Sequence, residues 1–428
     1  MLNQEIRDAI RDLMNREILP AIGCTEPAAV ALATAKATET LGERPQKIEV
    51  RLSGNVLKNA MGVGIPGTGM VGLPIAIALG SLIGKSEYGL EVLKDVNEGA
   101  VKLGRKMIDD GIISIGLKED SPSNLYIEVV ALGKNNVAET RINGDHTHFV
   151  LVRKNTEILF EEAVEKDSNA NDTRSDIELN LKTVWDYATL SPIDELIFIL
   201  EARKLNTEAA KLALYGKGKG HKVGKTINES KELLGSTVIG KMLAMTSAAC
   251  DARMAGEPIP VMSNSGSGNQ GIAITMPVVS YAEEIGASEE KTTRALILAH
   301  LTSIYIKQSL GRLSALCGCV VASTGAALAI TYLMGGSYMQ GTYAVKNMIA
   351  TLTGMICDGA KPACSLKIAS GVGTAYIAAM MAMHDECVTS TEGIIENSVD
   401  ETIRNFCTIG RDAMLETDRT VLKIMSGA

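Results

Sequence analysis

The feature that most constrains the fold is a change of pattern part-way along the chain. Between residues 112 and 153, four short runs show the alternating apolar residues of β-strands, and turns containing Gly, Asn and Asp separate some of them. Beyond about residue 183, nearly every apolar run has helical spacing instead. The sequence therefore predicts an α+β protein. Its N-terminal region is mixed and contains an antiparallel sheet, and its C-terminal domain is mostly helical.

The polar segment 165–180 contains few apolar residues, which is typical of a linker or an exposed loop. We place a domain boundary there, with a mixed region over 1–165 and a helical domain over 183–428. Residues 1–42 contain two helical runs around a cysteine-containing turn, and they can pack with the helical domain. The most apolar run, Cys319 to Met334, is shorter than a bilayer span, so we expect a buried core helix.

The composition disfavours several classes of partner. Of 428 residues, 42 are Lys or Arg and 50 are Asp or Glu, and the net charge of −8 disfavours nucleic acid and anionic membranes. Eight cysteines in so long a chain do not form a dense disulfide scaffold, and the first residues lack the apolar core of a signal peptide. We therefore expect a cytoplasmic protein with reduced cysteines. Its apolar helical half suggests a homo-oligomer.

Three cysteines lie in or beside Gly-containing turns between helical runs of the C-terminal half. They are Cys317, Cys357 and Cys364, with spacings of 40 and 7 residues. The chain contains no Cys-x-x-Cys pair, which excludes the zinc-ribbon and ferredoxin patterns. Three thiolates can hold an iron–sulfur cubane by three corners and leave the fourth iron open as a Lewis acid. The alternative is that all three are buried as small apolar residues.

Cys24 lies in the turn Ile22-Gly-Cys-Thr-Glu-Pro27, directly before an Ala-rich helical run. We expect Thr25 to cap that helix, with Pro27 in its first turn. Because the positive end of a helix favours a thiolate, the position predicts a lowered pKa for Cys24 and a role in chemistry. A small residue in a tight turn is the alternative.

A serine-rich loop, Ser263-Asn-Ser-Gly-Ser-Gly-Asn-Gln-Gly271, precedes a helical run from Ile272 to Glu284. Small polar side chains and bare backbone N–H groups at a helix start can bind an anion such as a carboxylate. The candidate binding residues are Asn264, Ser265, Ser267 and Asn269. A flexible turn is the alternative. The Gly-rich segment Gly62–Gly72 could form the opposite wall of such a site.

Three further patterns carry less information. Gly-x-Gly-x-x-Gly occurs three times, but no copy opens a βαβ unit, so we reject a dinucleotide-binding fold. His146 and His148 could ligate zinc from one face of a strand. No further ligand is predictable, however, and we expect exposed strand histidines. No motif marks a lysine that would hold pyridoxal phosphate, and none of that cofactor is expected.

Together, the Gly-Cys-Thr-Glu-Pro motif, the serine-rich loop and the cysteine spacing resemble the L-cysteine desulfidases. These are relatives of the alpha chain of iron–sulfur L-serine dehydratases, and the resemblance covers nearly the whole chain. It implies an oxygen-labile [4Fe–4S] cluster with one open iron, held by Cys317, Cys357 and Cys364. It also implies that Cys24 accepts a proton. Cys319 is an ambiguity, because it lies two residues from Cys317 and could replace it.

The resemblance further implies β-elimination on a small amino acid. L-cysteine would give hydrogen sulfide, pyruvate and ammonia. L-serine is the alternative substrate, because the two amino acids differ by one atom and pockets discriminate weakly between such isosteres. A non-catalytic iron–sulfur sensor is the alternative from another class of protein.

Overall fold

The computed structural model describes residues 2–162, 177–216, 222–230, 232, 234, 237–311 and 314–426. Its helices and strands, in chain order, are α1 Gln4–Glu17, β1 Pro20–Ile22, α2 Thr25–Leu41, β2 Lys47–Leu52, α3 Gly54–Ala60, β3 Gly64–Ile65, β4 Met70–Val71, α4 Leu73–Ile83, α5 Glu98–Asp109, β5 Ile113–Leu117, β6 Tyr126–Leu132, β7 Val137–Asn143, β8 Phe149–Lys154, β9 Glu157–Glu161, α6 Leu181–Leu190, α7 Leu200–Tyr215, α8 Val223–Glu229, α9 Val238–Met254, β10 Pro260–Met262, α10 Gly268–Glu284, α11 Glu289–Leu310, α12 Gly318–Leu333, α13 Tyr338–Leu352, α14 Cys364–Met383, α15 Val399–Thr408 and α16 Leu415–Ser426.

Six strands form one sheet in the order β5-β2-β6-β7-β8-β9. Strands β2 and β5 run parallel, and the other neighbours run antiparallel. The α+β class is confirmed, and the predicted strands agree with the structure to within a residue or two. On one face, alternate residues such as Ile127 and Val129 are buried under α2. The other face carries the ion pairs of Glu128 and Glu139.

Helix α12 lies at the centre of the helical part and packs against α10, α11, α13 and α14. Nearly all of its side chains are buried, which confirms the prediction of a core helix. Among the described residues, α14 is the one helix long and apolar enough to cross a membrane, by length and composition alone. It packs on α9, α12 and α13 and leaves several apolar side chains exposed.

The first forty residues divide between two apolar cores. Helix α1 contributes Ile10, Leu13 and Met14 to the helical core. Strand β1 pairs with β10, whereas α2 belongs to the sheet core from Ala29 onward. The turn that contains Cys24 therefore lies where the two cores meet. The boundary at 165–180 stays a prediction, because most of that segment lies outside the described residues.

Candidate functional site

The turn containing Cys24 is fixed by its neighbours on both sides. Strand β1 before it is paired to β10. Gly23 has a φ of +70°, and a Cβ there would lie 2.7 Å from Pro66 Cγ, so a larger residue would be strained and crowded. Cys24 itself is the N-cap residue of α2, one position earlier than predicted for Thr25. Its thiol makes no capping bond and donates instead to Glu26 Oε2, at 2.9 Å.

The prediction of a lowered pKa for Cys24 is wrong. Burial raises the pKa of this thiol, because a thiolate is poorly solvated there, and the neighbouring Glu26 carboxylate raises it further. The charge of Arg253 acts in the opposite direction but does not overcome the other two effects. Cys24 therefore rests as a neutral thiol, and the helix start does not make it a thiolate.

Glu26 is a buried carboxylate with several partners. It accepts hydrogen bonds from Cys24, from Thr25 Oγ1 at 3.1 Å and from Asn59 Nδ2 at 2.9 Å. Burial would raise the pKa of Glu26, but attraction to His146 and hydrogen bonds from Cys24 and Asn59 hold that pKa below its usual value. Glu26 is thus an ionised group in contact with the Cys24 proton.

The expectation of two exposed strand histidines is wrong for His146. Both residues lie in the turn between β7 and β8. His148 is exposed and contacts Glu162 at 3.1 Å, whereas His146 is buried and near enough to Glu26 to affect its charge. The cause is the turn conformation, which takes the two side chains out of the alternation of a strand.

The serine-rich loop (Ser263–Gly271) enters α10 one turn earlier than predicted. Ser267 caps the helix by accepting a hydrogen bond from Gln270 N at 3.3 Å. Asn264 is fully buried, and its Oδ1 accepts from Ser265 Oγ at 2.9 Å. Ser265 has a φ of +49°, so the loop is tightly folded at that point. The structure therefore shows a fixed loop built from its own side chains. Its role in binding stays a prediction.

Arg253 is a functional candidate that the sequence analysis missed. It is buried in α9, where its Nε donates to the Gly23 carbonyl at 3.1 Å and its Nη1 donates to Asn269 Oδ1 at 2.9 Å. A second contact, from Thr25 Oγ1 to the Gly266 carbonyl at 3.4 Å, joins the same two segments. Arg253 thus fixes the Cys24 turn against the serine-rich loop. A charged residue in an Ala-rich helical run was the available signal.

Asn269 Nδ2 faces Met254 Sδ at 3.3 Å, and a thioether is only a weak acceptor. This amide therefore retains capacity to donate to an anion. Beside it lies Arg253, whose fixed charge favours an anion at the same place. These two groups are better placed for a carboxylate than Asn264 and Ser265, which bond to each other.

Two of the three turn cysteines (Cys317, Cys357 and Cys364) are placed by a short bridge between loops. Leu316 and Ile356 pair antiparallel, with Cys317 N donating to the Met355 carbonyl at 3.0 Å and Cys357 N donating to the Ala315 carbonyl at 2.7 Å. Each cysteine follows its paired residue, so the two side chains are diagonal neighbours on one face of the bridge.

Cys364 is the first residue of α14 and lies in electrostatic range of Cys317 and Cys357. Its thiol accepts a hydrogen bond from Lys361 N at 3.4 Å. Cys319 also interacts electrostatically with Cys317 and Cys364, but its thiol donates to the Lys367 carbonyl at 3.2 Å, between α12 and α14. The structure therefore places all four cysteines in one region, and the hydrogen bond to Lys367 is what distinguishes Cys319.

Three thiols in one region are the donor set that an iron–sulfur cubane with one open iron requires. Within the described ranges, no three His, Cys, Asp or Glu side chains converge on a single metal position. A cubane does not require that, because each thiolate binds a different iron. Lys361 and Lys367 supply positive charge beside the turn cysteines. Burial raises the pKa of Cys364, so ligation would have to displace its proton.

Residues 87–423 match the family model described as serine dehydratase alpha chain. The chain belongs to the serine dehydratase alpha-chain family. Family membership supports a lyase-type enzyme with a serine dehydratase-like or related iron–sulfur function. The matched range includes the serine-rich loop and the turn cysteines, and it begins beyond Cys24.

Similar proteins cover the chain from end to end. It is 58% identical over 429 residues to a UPF0597 protein of Phocaeicola vulgatus, an alignment that covers 100% of this chain and 99% of the relative. It is 58% identical over 427 residues to a UPF0597 protein of Bacteroides fragilis, with 99% of each chain covered. A UPF0597 protein of Porphyromonas gingivalis is 47% identical over 431 residues, again with 99% of each covered.

Proposed function

We propose that this protein is an L-cysteine desulfidase, which converts L-cysteine and water to hydrogen sulfide, pyruvate and ammonia. The observation that carries the proposal is the position of Lys361. Its ammonium donates to the Lys58 carbonyl at 2.9 Å and interacts electrostatically with both Cys24 and Cys364. The turn containing Cys24 is in turn joined to the serine-rich loop, because Arg253 bonds to both Gly23 and Asn269. The proximity of a buried thiol, a polar loop beside an arginine and three further thiols supports the proposal.

In this proposal Cys317, Cys357 and Cys364 hold a [4Fe–4S] cluster, and no pyridoxal phosphate takes part. When bound, a cluster with one iron free of cysteine supplies a Lewis acid for the leaving group. Support comes from the family, from the diagonal placement of Cys317 and Cys357, and from the two lysines beside them.

Cys24 takes the proton from the α-carbon of the substrate. Since it rests as a thiol, it must first give up its own proton, and Glu26 Oε2 lies 2.9 Å away to accept it. Arg253 offsets the negative charge that then develops on the sulfur. The mechanism therefore needs the pair of Cys24 and Glu26 rather than Cys24 alone.

The substrate carboxylate is held by the serine-rich loop, where Asn269 and the fixed Arg253 favour an anion. Loss of the α-proton and cleavage of the bond from Cβ to sulfur leave aminoacrylate. Aminoacrylate tautomerises to an imine, and water hydrolyses the imine to pyruvate and ammonia without further catalysis.

An anaerobic assay tests the proposal. The protein is reconstituted with iron and sulfide, its iron content and visible spectrum are recorded, and L-cysteine and L-serine are supplied separately while sulfide and pyruvate are measured. Sulfide and pyruvate from L-cysteine support the desulfidase. A cluster that forms without any product would favour the sensor, and a colourless, inactive protein would contradict the cluster itself.

L-serine dehydration is the second candidate, because the family model that matches is that of the serine dehydratase alpha chain. The same residues would take the α-proton and hold the carboxylate, and water would leave in place of sulfide. Pyruvate formed mainly from L-serine would establish this function instead.

The protein also functions, in this proposal, as a cytoplasmic homo-oligomer. Helix α14 exposes four large apolar side chains, which is the kind of surface that association covers. They are Leu366, Ile377, Met380 and Met381. Light scattering of the reconstituted protein gives the molar mass, and a value of one chain would contradict association.

A further inference from the structure

Gln270 lies between the serine-rich loop and the first turn of α12, and nothing above assigns it a role. It is only 2% exposed, and its Nε2 donates to Asn264 Oδ1 at 3.0 Å. Its other polar atom, Oε1, is buried and has no hydrogen-bond partner within the part of the chain that the structure describes. Buried polar atoms are nearly always paired, so an unpaired carbonyl in a candidate site points to a ligand.

The orientation of this amide follows from its neighbours. The His300 carbonyl can only accept a hydrogen bond, so the atom of Asn264 that contacts it at 3.2 Å is Nδ2. Asn264 Oδ1 therefore faces Gln270 and accepts a hydrogen bond from Gln270 Nε2. Consequently Gln270 Oε1 is fixed as an acceptor, and only a donor can satisfy it.

The unpaired atom lies beside Gly318. A Cβ placed on Gly318 would lie 3.0 Å from Gln270 Oε1. Gly318 directly follows Cys317 and is the first residue of α12. A side chain at position 318 would therefore crowd the acceptor, whereas glycine leaves space next to it.

We propose that Gln270 Oε1 binds the α-ammonium group of the amino-acid substrate and so selects α-amino acids. The substrate class rests on the proposed function. Glu26 already accepts from three donors, whereas Gln270 Oε1 has no donor among the described residues. A neutral acceptor does not remove a proton from the ammonium. The ammonium keeps its charge beside the α-carbon, which makes the α-proton easier to abstract.

The test compares two ligands that the proposed reaction cannot convert to pyruvate. L-2-aminobutyrate carries an α-ammonium and no leaving group, and 3-mercaptopropionate carries the carboxylate and thiol of cysteine without the ammonium. Calorimetry on the anaerobic reconstituted protein gives both affinities, for the unaltered chain and for Gln270→Met. We expect the variant to bind L-2-aminobutyrate more weakly by on the order of 10- to 100-fold, since a hydrogen bond from a charged donor is lost. Its affinity for 3-mercaptopropionate should change less than about twofold.

Two other results would overturn the proposal. Equal weakening of both ligands would mean that Gln270 only supports Asn264, and no weakening of either would mean that it has no contact with the ligand. Failure of the unaltered protein to bind L-2-aminobutyrate would overturn it as well. Gln308→Met makes the same exchange in α11, where the side chain bonds to Ile177 and Leu179, and should leave both affinities unchanged.

A second variant keeps the test decisive if Gln270→Met does not fold. Gln270→Glu retains an acceptor oxygen and adds negative charge, although it removes the Nε2 donor to Asn264. It should therefore shift the affinity ratio towards L-2-aminobutyrate and away from 3-mercaptopropionate, while the loss at Asn264 affects both ligands. An unchanged ratio would contradict the proposal. Because calorimetry requires no turnover, an inactive protein that shows the expected ratio would refute only the proposed function. An active protein with an unchanged ratio would refute only the role of Gln270.

Discussion

The hydrogen bond from Cys24 to Glu26 determines the resting state of the site. Both burial and the adjacent carboxylate favour the neutral thiol, so the residue is a weak nucleophile until its proton moves. A thiol in this form is also less open to oxidation than a thiolate. In the proposed mechanism, the carboxylate that favours the neutral thiol at rest is also the group that accepts its proton.

Replacing Cys24 with Ala should separate cluster binding from catalysis. We expect iron content and the visible spectrum to stay unchanged, because Cys24 is not among the proposed ligands, while kcat falls by about 10²- to 10⁴-fold. The control is Cys407→Ala, since Cys407 is equally buried but bonds to the Ile306 carbonyl away from the site. Full activity of the Cys24 variant would remove this residue from the mechanism.

Replacing Glu26 with Gln should lower the pKa of Cys24. The substitution removes the carboxylate that disfavours a thiolate, although burial continues to raise the pKa. Thiolate ultraviolet absorbance followed against pH, with the curve of Cys24→Ser subtracted, gives the midpoint. We expect the midpoint to move to lower pH while kcat falls by about 10²-fold, because the thiol proton has lost its acceptor. A midpoint that moves to higher pH would contradict the assigned cause.

Local sequence was enough to place Cys24 at a helix start, because the Gly before it and the Pro after it punctuate the chain. Its pKa could not be predicted in the same way. Burial of the thiol and the charge on Glu26 depend on Asn59 and His146, which are distant in sequence and meet the turn only in the folded protein.

Helix starts recur among the chemically important elements of the fold. Cys24, Cys317 and Cys364 lie at the N-termini of α2, α12 and α14. Gly and Pro punctuation predicted such turns, but not that they meet. The bridge between Leu316 and Ile356 is a tertiary contact, and no local pattern reports it. The alternation and spacing that give strands and helices carry no information about which loops become neighbours.

Iron content should distinguish the turn cysteines from Cys319. We expect Cys317→Ala, Cys357→Ala and Cys364→Ala each to lower the iron bound per chain after reconstitution, whereas Cys319→Ala should not. The reason is that Cys319 is directed to the Lys367 carbonyl between two helices. Loss of iron only in the Cys319 variant would reverse the assignment of ligands.

Helix α16 should contribute to stability through one ion pair. Asp418 bonds to Lys58 of α3, whose side chain is only 1% exposed. Asp418→Ala would leave that ammonium buried without its partner, and we expect the free energy of unfolding to fall by about 3 kcal/mol, measured in urea. Glu416→Ala in the same helix is the control. The pair of Glu416 and Arg419 is well exposed, so this change should cost less than about 1 kcal/mol. Equal effects of the two variants would show that Lys58 does not depend on Asp418.

The two cores of the protein meet at the candidate site rather than away from it. Periodicity predicted a sheet region and a helical region, because apolar spacing reports which face of an element is buried. The sequence allows residues 1–42 to pack with the helical domain, but it does not distinguish α1 and β1, which pack there, from α2, which packs with the sheet. Which core a helix or strand joins depends on how well its surface fits the surfaces of the other elements. A single sequence does not give that fit.

The cluster-free protein should lose stability in alkaline solution. Burial raises the pKa of Cys407 to about 12. A thiol whose folded pKa is raised stabilises the protein below its ordinary pKa of about 8.5, and that contribution is lost as the pH rises towards the folded value. We expect the free energy of unfolding, measured in urea with a reductant, to fall between about pH 7 and pH 10. In Cys407→Ala the fall should be smaller by about 2 kcal/mol. Parallel curves for the two proteins would contradict this.

The contact between the Cys24 turn and the serine-rich loop has a consequence for biosynthesis. Thr25 and Gly266 lie 241 residues apart, and β1 can pair only after β10 has been made. At roughly 5–20 residues per second, the ribosome needs on the order of ten seconds or more to deliver that partner. During this interval, strand β1 has no β10 to pair with. Cys364 is made later still, so the proposed cluster site can be completed only near the end of translation.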